Sequence, residues 1–273
     1  RIYRLNISLR RHHMWTFYDR LISSIDNDNI TIKDFVVGAE WCIVIADDGT
    51  AGLAPVRTEQ WRRFEFGVDI KPGMPLSEAA SAVKSWNPHE AALGLAAVNA
   101  FFNRESNVTA GAVEYPGGRR SRGVFMQFCE HNTKGRRTVM IEPHYDREEL
   151  ANAPGLIDIV RIGTTYRDYR FNAWEDLIPQ ADGIVLSGEA IADKLAGTTV
   201  RAASELGKDI YFWGPDIPLA QALADVPRAS GNSAAVQATG FIVDDVEKCL
   251  WTVKRAGNRD EILRLGHFVT EDL

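Results

Sequence analysis

The period of apolar and polar positions changes several times along the chain. Residues 12–25, HHMWTFYDRLISSI, place Trp15, Tyr18, Leu21, Ile22 and Ile25 at helical spacing, which predicts a helix. Residues 35–56, FVVGAEWCIVIADDGTAGLAPV, are apolar runs broken at Asp48-Gly49, which predicts two strands around a hairpin turn. The following RTEQWRRFEFG reads as irregular chain or a third strand, and Pro72-Gly73 marks a turn. PLSEAASAVKSW predicts a helix whose first turn Ser77 can cap. NPHEAALGLAAVNAFFN predicts another, with Asn87 as N-cap and Pro88 at the first helical position. This order, helix, antiparallel strands and helices again, is that of an α+β domain.

Residues 104–122 are rich in Gly, Ser, Asn and Arg and predict a domain boundary. Beyond them the pattern alternates. RTVMIEP, IDIVRIG, GIVLSG, DIYFWGP and ATGFIVDD predict strands. Between and after them YDREELANA, NAWEDLIPQA, IADKLAGTTVRAASELGK, PLAQALADV and VEKCLWTVKRAG predict helices. Short apolar strands alternating with helices predict a parallel sheet covered on both faces. The expected fold class is therefore α/β, with an α+β domain over residues 10–112 and a parallel-sheet domain over residues 120–260.

Composition narrows the partners. The 273 residues are 45% hydrophobic and 25% charged, with a net charge of −6. That is ordinary for a soluble globular chain. Its basic clusters, 119–122 and 134–137, read as solvated loop charge, so nucleic acid is not an expected partner. No apolar run approaches 18 residues, and the opening RIYRLNISLR lacks a signal-peptide core, so no membrane partner is expected. Three well-separated cysteines, Cys42, Cys129 and Cys249, without a CxxC, fit a reducing cytoplasm better than a disulfide framework. Oligomeric state is not readable; the aromatic patch at 61–67 is either an interface or a strand face.

In an open parallel sheet, ligands bind beyond the carboxyl ends of the strands. The residues at those ends are Glu142-Pro143-His144-Tyr145, Gly163-Thr164-Thr165, Ser187-Gly188-Glu189 and Gly214-Pro215-Asp216. No GxGxxG or GxxxxGK[ST] is present, so a nicotinamide or P-loop site is not expected. VLSGE is not a GxSxG elbow. His12-His13, His89-Glu90, Cys129 to His131 and the EPHYD segment carry metal-ligand chemistry, none at HExxH or zinc-finger spacing. EPHYD, with Glu142 and His144, ranks first as a metal candidate because it follows a strand. Asn99 and Asn103, four apart on one face of an apolar helix, either tie down backbone or face a ligand.

The segments MWTFYDRLISSI, FVVGAEWCIVIADDGTAGLA, LSEAASAVKSWNPHEAALGLAAVNAFFN, ADGIVLSGEAIADK and IYFWGPDIPLA together give the chain a resemblance over residues 12–257. It resembles the bacterial and archaeal family described as "putative heavy-metal chelation". The resemblance implies an enolase-N-terminal-like domain joined to a Rossmann-like domain, with the site in the cleft between them. It implies cleft roles for Glu90, Asn99 and Asn103 from the first domain and for Ser187, Gly188, Gly214 and Pro215 from the second. The chain departs from the family pattern in having Glu142-Pro143 where relatives often have glycine. It also carries Glu189 and Asp193 after the Ser-Gly pair. Added carboxylates favour a cation or amine over a phosphate. The expectation is a small-ligand site in the interdomain cleft, with a divalent or heavy-metal ion or a metal complex as candidate ligand. The alternatives are an enzyme acting on a small polar metabolite, with Glu142, His144 and Glu189 as acid–base candidates, and an adenosine-cofactor module in the same cleft.

Overall fold

The structure is a computed structural model that describes residues 14–26, 29–57, 69–115, 121–145, 148–163, 168–226 and 234–273. Helix α1 (14–23) leads into a three-stranded antiparallel sheet of β1 (Ile32–Val37), β2 (Trp41–Ala46) and β3 (Ala51–Pro55), in the order β1-β2-β3. The turn at Asp48-Gly49 joins β2 to β3, as its sequence predicts, and a second turn at 38–40 divides the preceding apolar run into β1 and β2. Helices α2 (Leu76–Ala80) and α3 (Pro88–Phe102) follow. Asn87 caps α3 by accepting from the amides of His89 and Glu90, with Pro88 at the first helical position. Pro75, not Ser77, occupies the N-cap of α2.

The second sheet has eight strands in the order β4-β11-β10-β9-β8-β5-β6-β7. These are β4 (Val113–Tyr115), β5 (Arg137–Ile141), β6 (Leu156–Arg161), β7 (Tyr169–Arg170), β8 (Gly183–Leu186), β9 (Asp209–Trp213), β10 (Val236–Val243) and β11 (Gly266–Asp272). The run from β7 to β10 is parallel; β11 pairs antiparallel to β10, and β4 antiparallel to β11. Its helices are α4 (Ser121–Asn132), α5 (Trp174–Leu177), α6 (Gly188–Ala192), α7 (Ala196–Glu205), α8 (Val246–Lys254) and α9 (Arg259–Ile262). The fold is mixed α/β, with a small antiparallel sheet and a mostly parallel large one. Sequence periodicity leaves α4, α9, β4, β7 and β11 unpredicted. Two predicted helices do not form: 148–153 is a run of turns, and PLAQALADV contributes a single 3₁₀ turn at Gln221–Leu223. His12, His13, Asp146, Thr164, Thr165 and residues 61–67 lie outside the described residues.

Strand β2 explains how the two sheets are joined. All six of its residues are buried. Cys42, Val44 and Ala46 pack into one apolar cluster with Leu95, Val139 and Phe212, while Trp41, Ile43 and Ile45 pack into another with Phe125, Trp213 and Phe241. A strand covered on both faces needs no polar alternation, which is why WCIVIA is a continuous apolar run. Helix α8 lies against β1 and β2, and α6 against α3 and β3. The chain runs outward from β5 through β6 to β7, then returns beside β5 to build β8, β9 and β10. The reversal point between β5 and β8 is where such sheets open a crevice.

Candidate functional site in the cleft between the sheets

The loops after β5, β8 and β9 deliver Glu142 to His144, Ser187 to Glu189, and Gly214 to Asp216 to that reversal point. Glu142 takes a left-handed conformation, φ 49°. A side chain there costs about 1–2 kcal/mol, and glycine costs nothing. Here the carboxylate offsets the strain: one oxygen accepts from the Ile162 amide, the other from Arg57 Nη2 at 2.5 Å. Glu142 is 1% exposed. Ser187 donates to the Glu142 carbonyl at 2.5 Å and caps α6 through the Ala190 amide.

His144 is the centre of the site. Its Nε2 lies 2.7 Å from Asp216 Oδ1, and its Nδ1 lies 3.8 Å from Glu189 Oε1. The Trp41 ring stands beside it, 6.3 Å between centroids. Two glycines admit the His144–Asp216 pair. A Cβ on Gly188 would come within 2.2 Å of Asp216 Cγ, and one on Gly214, φ 154°, within 2.3 Å of Asp216 Oδ1 and 2.6 Å of His144 Nε2. Burial draws the His144 pKa down, but contact and hydrogen bonding with Asp216, helped by Glu189, prevail and leave it raised. Asp216 is fully buried and its Oδ2 has no hydrogen-bond partner.

Arg57, just past the end of β3, reaches across from the small sheet. Its Nη2 is 2.5 Å from Glu142 Oε2 and 2.8 Å from Glu189 Oε2. Its Nε lies 2.8 Å from Asp193 Oδ2, at an angle that forms an ion pair but no hydrogen bond. One guanidinium thus faces three carboxylates, and the local charge is negative. Burial raises the pKa of Glu189, and raises that of Asp193 to about 6, against the opposing pull of Arg57 in each case. A cavity of about 560 Å³ opens onto this group. Trp41, Val56, His144, Glu189, Asn258 and Arg259 are among the residues lining it. Arg259 also donates to the His144 carbonyl at 2.6 Å.

Of the residues singled out in the sequence, the structure brings together Glu142, His144, Ser187, Gly188, Glu189, Gly214 and Pro215. The amides of α3 are engaged elsewhere. Asn99 Nδ2 donates to the Leu53 carbonyl at 2.7 Å. Asn103 donates to the Ile217 and Phe241 carbonyls and accepts from the Leu219 amide at 2.8 Å, so it stitches the end of α3 to the large sheet. Glu90 is buried and accepts from the Ser85 hydroxyl. Arg57, Trp41 and Arg259 escaped the sequence analysis. Arg57 alone left a signal there, as a cation directly after a predicted strand.

Two solved structures share the fold. A DUF364-family protein of unknown function from Desulfitobacterium hafniense is 24% identical, with 96% of this chain and 99% of that chain covered and a TM-score of 0.74. A second DUF364-family protein of unknown function, from Pyrococcus horikoshii, is 17% identical, with 94% and 100% covered and a TM-score of 0.72. No protein of curated function matches the chain. Residues 18–102, from within α1 to the end of α3, match the family described as "Putative heavy-metal chelation".

Proposed function

We propose that the cleft binds a divalent or heavy-metal ion, held as a complex with a small polar molecule, with His144 Nδ1 and Glu189 Oε1 as the protein's ligands. The observation that carries this is the line Asp216–His144–Glu189. A metal-bound histidine usually gives its other ring N–H to a carboxylate, which fixes the tautomer and aims the free lone pair. Asp216 is placed to do that from 2.7 Å. Two donors each about 2.1 Å from one ion can stand up to about 4.2 Å apart, and Nδ1 and Oε1 are 3.8 Å apart. Two protein donors leave coordination positions open, and the cavity of about 560 Å³ has room for a chelating partner. The negative local charge supports a cationic ligand. Glu142 supports the site indirectly, because both of its oxygens are engaged.

The family description of residues 18–102 supports metal binding without naming ligands. The reading treats residues 10–112 and 120–260 as two domains, enolase-N-terminal-like and Rossmann-like, with the site between them and the protein in the cytoplasm. Among the described residues no helix is long and apolar enough to cross a membrane.

A second reading makes the His144–Asp216 pair an acid–base group acting on a small polar metabolite, favoured by the raised His144 pKa and the size of the cavity. No observation favours the adenosine-cofactor alternative: Glu142, the acid at the end of β5 that could take a ribose hydroxyl, is buried with both oxygens engaged. Calorimetric titration of tag-free protein with Zn²⁺ separates the first two. Loss of one equivalent of bound Zn²⁺ in each of His144→Ala and Glu189→Gln supports the metal site. Zn²⁺ binding that neither substitution changes leaves the acid–base reading.

A further inference from the structure

A second imidazole stands between two carboxylates, at the C-terminal end of α3. His267 of β11 has Nδ1 2.8 Å from Asp244 Oδ1 and Nε2 3.4 Å from Glu105 Oε1. Among the described residues, these are the one group of three His, Cys, Asp or Glu whose ligand atoms all lie within 4.8 Å of one another. Glu105 comes from the 3₁₀ turn that follows α3. Asp244 follows β10, and His267 pairs with Ile242 across the β10–β11 ladder. The three therefore join the end of α3 to the antiparallel edge of the large sheet.

Nε2 of His267 is buried and has no hydrogen-bond partner, although it faces Glu105. A ring nitrogen aimed near a carboxylate oxygen, but off the hydrogen-bond line, suits a third atom placed between them. In a tetrahedral site with bonds of about 2.1 Å, neighbouring donors stand about 3.4 Å apart. That is the distance from Nε2 to Oε1. Asp244 on Nδ1 fixes the tautomer that turns the Nε2 lone pair toward Glu105. Both carboxylates are largely exposed, so water can complete the coordination. A cavity of about 360 Å³, lined in part by Glu105, Arg104 and Val243, opens beside the group. A nitrogen donor beside a carboxylate suits Zn²⁺ or Co²⁺ better than Ca²⁺ or Mg²⁺, which prefer oxygen ligands alone.

We infer that His267 Nε2 and Glu105, with Asp244 orienting the imidazole, form a second divalent-cation site, distinct from the cleft, that clamps the end of α3 to the β10–β11 edge. The competing account is an imidazole held between two surface carboxylates, without affinity for metal. The test is titration of the full chain with Co²⁺ and Zn²⁺ in two cleft-disabled backgrounds, His144→Ala and Glu189→Gln. Either folded background serves. The expected result is one equivalent of Co²⁺ with the visible absorption of a low-coordinate N/O site, weakened at least tenfold by His267→Gln or Glu105→Gln. Zn²⁺ should raise the melting temperature of the background but not of its His267→Gln derivative. Absence of bound metal in both backgrounds, or binding unchanged by His267→Gln, overturns the inference. If neither background folds, wild type and His267→Gln are compared directly, and equal stoichiometry overturns it. Failure of the cleft reading shows separately, as equal binding by wild type and Glu189→Gln.

Discussion

Asp216 is the residue on which the cleft depends most. It is fully buried, and a side chain at either of the two glycines beside it would collide with it. Asp216→Asn keeps the shape but weakens the hold on the imidazole. Loss of such an outer carboxylate typically costs about 10–100-fold in metal affinity. We expect a fall of that size in Zn²⁺ affinity by calorimetry, with the fold retained by circular dichroism. Asp193 tests the electrostatics. Its folded pKa is raised from 3.8 to about 6 by burial. A carboxyl raised in this way contributes stability below its unfolded pKa and loses it as pH rises through the folded value. Asp193→Asn should therefore melt higher than wild type at pH 7, with the difference vanishing as pH falls from about 6 to about 4. An equal difference at both ends of that range would contradict the burial account. At this scale the sequence was partly legible. Glu142, His144 and Glu189 stand out because they follow apolar strands, and ligands gather at such ends. Arg57 was not legible, since nothing in local periodicity says that a cation after β3 will meet carboxylates from the loops after β5 and β8 and from the end of α6.

Helix α3 is the element whose sequence raised the sharpest question, and hydrogen bonding answers it. Asn103 satisfies a carbonyl of β10 and a carbonyl and an amide of the loop after β9, whereas Asn99 satisfies one carbonyl of β3 and leaves its own Oδ1 without a partner. Leaving a buried polar group unpaired costs about 1–3 kcal/mol. Asn103→Ala should then destabilise by roughly 2–4 kcal/mol, and Asn99→Ala by less, about 1–2 kcal/mol. Urea unfolding measures both, and both variants should keep wild-type Zn²⁺ affinity. Loss of binding at unchanged stability would restore a ligand-facing role. The helix itself was legible from its cap and its spacing, but the destination of its amides was not. Element β2 shows the same division, since six consecutive apolar residues specify burial on both sides without saying which sheet supplies the second cover. Helix α4 and strands β4 and β11 escaped because their polar or short segments carry weak periodicity and take their shape from neighbours in the large sheet.

Across the whole molecule, Arg57 links the small sheet to three carboxylates of the large one. Removing one partner of a buried ionic group costs about 3–5 kcal/mol, because the remaining charges stay buried without compensation. Arg57→Met should lose about that much at pH 7 in urea unfolding, and less at pH 5, where Asp193 takes a proton. An unchanged stability would mean that the two sheets are held by their shared apolar clusters alone. The overall architecture, a small α+β unit followed by a strand–helix alternation, was readable from the chain because patterning governs fold class. The cleft was readable only in half, because its second wall comes from turns and loops that periodicity does not describe.

The central claim is that His144 and Glu189 hold a metal ion in the cleft. Native mass spectrometry with elemental analysis on tag-free protein, grown with ample metal, tests it most directly. The account predicts bound metal in wild type and the loss of one equivalent in the His144→Ala, Glu189→Gln double variant, with the fold intact. Metal-free wild type, or the same metal content in the double variant, would contradict it.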